Sequence, residues 1–146
     1  MQQNNFTVPS DPLQRAWIAL ARVAPKMQEA VEASLKEAGL PPLEWYSVLW
    51  SLERAGGEVR PRDLGEALFL ARYNVSRLID RMEAEGLVAR RACPGDARGH
   101  NLALTPKGKE LRLKMWAVHA PAMARAMAPL NDAEALALQK LLEKLG

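Results

Sequence analysis

The chain has 146 residues, 49% hydrophobic and 25% charged, with a formal charge of +3 and a single cysteine. That length fits one domain and that apolar share suffices for a core, which excludes disorder for most of the chain; a lone cysteine excludes an internal disulfide, and no apolar run approaches the ~18 residues of a membrane span. The positive charge is concentrated, with 12 Lys and Arg against 7 Asp and Glu in residues 60 to 114 and 8 against 10 elsewhere, so a polyanion is favoured over a membrane as partner.

Residues 1–9 combine amides with Pro9 and show no periodicity, which predicts a mobile arm. The polar start Met1-Gln2-Gln3-Asn4-Asn5 has no signal-peptide character, and the expected location is cytoplasmic. Ser10 or Asp11 offers an N-cap with Pro12 in the first turn, and Leu13, Trp17, Leu20, Ala24, Met27 and Val31 alternate spacings of four and three along a helix that Pro25 should kink. Gly39-Leu40-Pro41-Pro42 breaks the chain. A second helix follows with Trp45, Val48, Leu49 and Leu52 on its apolar side, ending at Gly56-Gly57, and Glu58-Val59 reads as a short strand joining a later hairpin. Arg60-Pro61-Arg62-Asp63 opens a third helix with Leu64, Ala67 and Leu68 inward.

Val75, Leu78, Ile79 and Met82 then recur at i, i+3, i+4 and i+7, the stripe of a helix packed on a core. Tyr73, Arg77 and Asp80 fall on the opposite side, with Asn74 and Arg81 on one shoulder and Ser76 on the other. Such a face can offer donors and acceptors to base edges in a DNA major groove, or it can simply be solvated. Gly86 suits a left-handed stop after Glu85, and Leu87-Val88-Ala89-Arg90-Arg91 alternates like a strand. A turn over residues 93–99 leads into a second strand bearing Leu102 and Leu104, which makes a two-stranded wing with Arg98 near its tip.

Thr105 caps the next helix with Pro106 at its first position; Leu111, Met115, Val118 and Ala122 form its inward stripe, Pro121 should kink it, and Pro129 ends it. Asn131 with Glu134 makes a capping box for a last helix bearing Leu138, Leu141, Leu142 and Leu145. The two terminal helical regions carry more apolar stripe than a small domain covers alone, so we expect a symmetric dimer in which they interlock. The fold class is therefore mainly α with a small β wing.

Leu64, the run Leu78-Ile79-Asp80-Arg81-Met82-Glu83-Ala84-Glu85-Gly86-Leu87-Val88, the wing residues Asp96 and Arg98, then Leu102 and Leu104-Thr105-Pro106-Lys107-Gly108 together resemble the multiple antibiotic resistance regulator (MarR) family. The resemblance implies a winged helix-turn-helix dimer that represses or activates transcription, with residues 10–40 and 106–146 as dimerisation helices and residues 42–105 as the winged lobe of a single domain. Many members have Ala at Gly65, Gly at Phe69 and Ser or Thr at Ala71. Phe69 is a poor left-handed turn residue and Ala71 lacks a capping oxygen, so the recognition helix starts either near Ala71 or later, capped by Asn74, with Arg72 and Tyr73 in the turn.

The expected DNA contacts are Arg72, Tyr73, Asn74, Ser76 and Arg77 at bases or phosphates, Arg81 at phosphate and Arg98 in the minor groove with Asp96 supporting it; Arg90, Arg91 and Lys107 are further phosphate candidates. Family members often bind a small aromatic or anionic effector between the dimerisation helices and the winged lobe. Trp17, Trp45, Trp50 and Trp116 all lie outside the helix-turn-helix and wing and are the candidate lining of such a pocket, or else core and interface residues. Flanking Arg90 and Arg91 would favour a Cys93 thiolate, yet redox sensors of this family usually place their cysteine in the first helix. His100 and His119 make no metal cluster with it, and neither a nucleophile relay nor a phosphate-binding glycine loop occurs, so no cofactor, metal or enzymatic activity is expected. The sequence reads as a cytoplasmic, homodimeric, ligand-responsive transcription regulator, a repressor that binds a pseudo-palindromic site on double-stranded DNA; a winged-helix protein-interaction module without DNA binding is the alternative.

Overall fold

The computed structural model describes residues 6–67, 75–93 and 95–146, with the side chains of residues 65–67, 97 and 98 left aside. Six helices and three strands follow in the order α1 (Asp11–Glu37), α2 (Leu43–Arg54), β1 (Glu58–Val59), α3 (Pro61–Ala67), α4 (Val75–Ala84), β2 (Val88–Cys93), β3 (Asp96–Leu104), α5 (Pro106–Met127) and α6 (Asp132–Glu143) among the described residues. Ser10 is the N-cap of α1, although its side chain makes no capping bond, and the helix continues through Pro25. In the same way α5 continues through Pro121.

The helix stops are built as the glycines suggest. At the end of α1 the Leu40 N–H donates to the Leu35 carbonyl and the Gly39 N–H to that of Lys36, with Gly39 at φ +70°. This paired closure needs a left-handed residue, and glycine adopts it without a Cβ clash. The ends of α2 and α4 repeat it, at Gly56 and Gly86.

Helix α2 is the centre of the winged lobe. Pro42 precedes it and offers no side-chain cap, so the carboxylate of Glu32 on α1 accepts the Leu43 N–H at 2.9 Å and satisfies one orphan donor from outside the helix. Leu43, Trp45, Tyr46, Ser47, Val48, Leu49, Ser51 and Leu52 are all buried, so α2 faces neighbours on most of its circumference. Around it close Leu35 of α1, Leu64 of α3, Leu78, Ile79 and Met82 of α4, Leu102 of β3 and Met115 of α5. The expected stripe of α4 is therefore the buried one, with Val75 partly covered.

The sheet is antiparallel and three-stranded, in the order β1-β3-β2, so Glu58 and Val59 do join the wing, opposite Ala103 and Leu102. The wing differs from the sequence expectation in one respect. Residues 96–99, expected in the turn, belong to β3, and Cys93 pairs with Asp96 across an irregularity after Ala92. Glycine and aspartate are poor strand formers in isolation, and of these four residues only Asp96 has a register partner on β2.

The junction between β3 and α5 explains the Leu-Thr-x-x-Gly signature physically. The Thr105 hydroxyl oxygen accepts the Gly108 N–H at 3.0 Å and its proton goes to the Gly86 carbonyl at 2.6 Å, which ties the start of α5 to the end of α4. A Cβ at Gly108 would overlap the Leu87 carbonyl oxygen and lie 2.9 Å from Leu104 Cδ1, so only glycine permits this approach. Farther on, the Asn131–Glu134 capping box forms in full at the start of α6.

Candidate nucleic-acid interface

Helix α4 divides as its periodicity requires. Leu78, Ile79 and Met82 enter the core, while Ser76, Arg77, Asp80 and Arg81 are exposed. Ser76 and Arg77 therefore stand on the free surface near the start of the described helix, in a region where cationic residues dominate the sequence. Arg72, Tyr73 and Asn74, as well as Phe69 and Ala71 in the altered turn, lie outside the described residues. Arg81 reaches toward Glu44 of α2 at 3.9 Å, a long and exposed pair that leaves its guanidinium accessible.

On the wing, the backbone of Arg98 belongs to β3 and its side chain lies outside the described ones. Asp96 is exposed, and its carboxylate folds over Gly99: a Cβ there would be 3.1 Å from Asp96 Oδ2 and 3.2 Å from Cys93 Sγ. The Cys93 thiol donates to Asn101 Oδ1 at 3.1 Å, and the Asn101 amide donates to Glu58 Oε1 at 3.1 Å, so polar side chains link all three strands. Arg91 is exposed on β2.

Two of the further phosphate candidates have protein partners. Arg90 is held by Asp80 and Glu83 of α4, each at 2.6 Å, and the acidic pair, Asp80 foremost, raises the pKa of a group that is already always charged. The Lys107 ammonium donates to the Glu85 carbonyl at 2.8 Å, satisfying an acceptor at the end of α4. Spacing alone does not show either partnership, because both join residues on different elements.

The four tryptophans do not converge in one chain. Trp45 is core, Trp50 carries the Arg54 guanidinium 4.9 Å above its ring, and Trp17 is 75% exposed on the first half of α1. Trp116 enters an aromatic cluster, stacked on Tyr46 at 6.1 Å between centroids, with His119 edge-on to both at 5.5 and 4.8 Å. Burial raises the Tyr46 pKa against the opposing hydrogen bond from Arg112, and burial lowers that of His119. Arg112 is in turn paired with Glu53 of α2. Ser47 Oγ and His119 Nδ1 are buried without a hydrogen-bond partner among the described residues. The sequence carried a signal for His119: it stands four residues after Met115 and three before Ala122, on the inward stripe of α5.

Comparison with known proteins agrees with this architecture. The model of the MarR family matches residues 38–99. The Bacillus subtilis (strain 168) HTH-type transcriptional regulator YkoM is 34% identical over 126 residues, covering 86% of this chain and 80% of that protein. AbsC, a MarR family transcriptional regulator from Streptomyces coelicolor, superposes with a TM-score of 0.82 at 28% identity over 96% of this chain and 95% of that one. A second Streptomyces coelicolor regulator of the family, Sco3205, solved in complex with DNA, shares the fold at a TM-score of 0.84 and 22% identity, over 97% of this chain and 90% of that one. With α3, α4, the wing and the junction in place and a relative 34% identical over most of its length, the chain belongs to the MarR family of winged-helix, DNA-binding transcription regulators.

Proposed function

We propose that this regulator is a cytoplasmic homodimer that represses transcription from a pseudo-palindromic operator and responds to a small aromatic or anionic effector. The observation that carries the reading is the exposed Ser76–Arg77 face of α4 beside a basic wing, on a lobe whose own core is closed. Arg77 is assigned to base edges in the major groove, Arg72, Tyr73, Asn74 and Ser76 to bases or phosphate beside it, Arg81 to phosphate, and Arg98 with Asp96 to the wing contact. A two-fold dimer would place its recognition helices about one helical turn, ~10 bp, apart. Selection of bound duplexes from a random pool is the test. An enriched inverted repeat is expected; recovery of no common sequence would remove the operator reading.

Support for the dimer comes from the apolar surface left open at the two ends of the chain. Leu13, Trp17, Ile18 and Leu20 of α1 line a groove of about 570 Å³ with Leu145, beyond the end of α6. A second copy covering this groove would bury what one chain leaves exposed. The effector reading rests on the cluster of Tyr46, Trp116 and His119, where aromatic faces, the unpartnered His119 Nδ1 and the Arg112 cation meet between α2 and α5. It narrows the tryptophan set to Trp116 within one chain. Titration with aromatic carboxylates and phenols should quench tryptophan fluorescence and weaken DNA binding by the same factor by which DNA weakens ligand binding; ligand binding without that coupling would separate the cluster from regulation.

A further inference from the structure

We propose that Arg90 is a positioning residue for DNA recognition, a clamp that sets the wing against α4, and that Asp80 and Glu83 favour DNA binding through it despite their negative charge. The three side chains form a compact joint. Arg90 Nη2 donates to Asp80 Oδ1 and Nη1 to Glu83 Oε1, both at 2.6 Å, and the second oxygen of Glu83 accepts the Arg90 backbone N–H at 3.1 Å. Glu83 thus grips strand and side chain together. Asp80 and Glu83 are i and i+3 neighbours on α4, and Arg90 opposes Leu102 at the root of the wing.

The location decides what the joint can do. Between its two halves the chain turns once, at Gly86, on a buried floor of Met82, Leu87 and Val88. That floor fixes where helix and strand meet. Their relative orientation at the surface is fixed by the guanidinium, whose planar fork spans both carboxylates as an ammonium cannot. The side chains remain 34%, 62% and 38% exposed for Arg90, Asp80 and Glu83, so the pairs add little to folding, in keeping with exposed ion pairs generally. Their effect is geometric: α4 carries Ser76 and Arg77, β2 leads to the wing, and both must reach one duplex at once.

The same arrangement argues against Arg90 as a phosphate contact. One cation between two carboxylates leaves a cluster of net charge −1, and a phosphate brought to it would meet two anions beside the guanidinium it seeks. Asp80, three residues from Arg77 on the exposed side of α4, is then the informative position. As an unclamped acid it would repel the backbone, and its neutralisation would tighten binding. As half of a clamp it must do the opposite.

The experiment measures binding of the full-length protein to the duplex it selects from a random pool, by fluorescence anisotropy over a salt series, for the parent and for Asp80→Asn, Glu83→Gln, Arg90→Lys and Arg90→Ala. Each variant is expected to bind roughly three- to thirtyfold more weakly, with the parent's salt slope and a urea midpoint close to the parent's. Arg90→Ala combined with Asp80→Asn should be no weaker than Arg90→Ala alone. Tighter binding by Asp80→Asn would overturn the proposal, as would a salt slope lower by about one per half-site in Arg90→Ala that Arg90→Lys restores, since a phosphate contact needs only the charge. If Arg90→Ala folds poorly, Asp80→Asn, a neutral and nearly isosteric change at an exposed side chain, decides the question by the sign of its effect alone.

Discussion

Helices α2 and α6 are each 12 residues long and rich in leucine or other apolar residues, yet α2 buries eight of its residues and α6 buries none. In α2 nearly every side has a neighbour in the same chain. In α6, Leu136 and Leu141 are 52% and 59% exposed, and the helix is held locally by its capping box. A helix of that length is marginal in water without packing, so its leucines call for a surface that one chain does not supply. The contrast separates a lobe whose core one chain closes from terminal helices that leave much of their apolar surface open.

Opposite substitutions break the contrast most directly. Leu49 is fully buried, and Leu49→Ala should cost ~2–5 kcal/mol of stability irrespective of protein concentration. Leu141→Asp should instead weaken dimer and fold together, giving a urea midpoint that depends steeply on concentration and a scattering mass that falls toward that of one chain. Equal midpoints for Leu141→Asp at low and high concentration would mean that α6 belongs to the fold of the single chain.

Gly108 stands where the lobe hands over to the terminal helices. Adding one methyl there drives it against the Leu87 backbone, so Gly108→Ala should destabilise by ~1–3 kcal/mol and loosen the junction between α4 and α5. Equilibrium urea unfolding checks the size, and a neutral outcome would show that the junction yields.

Surface changes on the closed lobe should alter DNA recognition and leave assembly alone. Arg77→Ala is expected to blur guanine-reading positions, where a bidentate arginine gives ~1–3 kcal/mol of discrimination. Arg98→Ala should weaken binding with less change in base preference and reduce the salt slope by about one per wing. Isotherms on single-base variants over a salt series distinguish the two; if Arg98→Ala binds as the parent does, the wing assignment fails.

The helices and their caps were legible because they depend on near neighbours. Thr105 with Gly108, Asn131 with Glu134 and the left-handed Gly86 are all specified within four residues or so of chain, and the stripe of Leu78, Ile79 and Met82 states its own period. Contacts across elements were not legible. Arg90 read as one more basic residue on a wing, since nothing in the order of residues places it between Asp80 and Glu83. Residues 96–99 read as a turn from their glycine and aspartate content, yet they belong to β3, with Asp96 opposite Cys93 across an irregularity in the pairing. His119 was partly legible from its place on the α5 stripe, but its neighbours Tyr46 and Trp116 depend on how α2 packs against α5.

That histidine provides the finest test of where the two regions meet. The residue is 9% exposed, its ring edge-on to Tyr46 and Trp116, with Nδ1 unpartnered among the described residues, so the charged form would lose hydration and gain no acceptor there. Burial therefore lowers the folded-state pKa below the ordinary 6.5. The unfolded chain then takes up a proton that the folded chain refuses, and stability falls as pH drops from 6.5 through the folded value, while above 6.5 the group contributes no pH dependence. Carboxylates titrate at the lower end of the same range, so the informative quantity is the difference between parent and His119→Phe, which keeps an aromatic ring and removes the proton site. Urea midpoints measured from about pH 5 to 8 should run parallel at the upper end and converge or cross below 6.5, as the parent alone loses stability through this group. Parallel curves over the whole range would show that the imidazole accepts its proton as readily when folded as when unfolded, and that the joint between α2 and α5 is open to water.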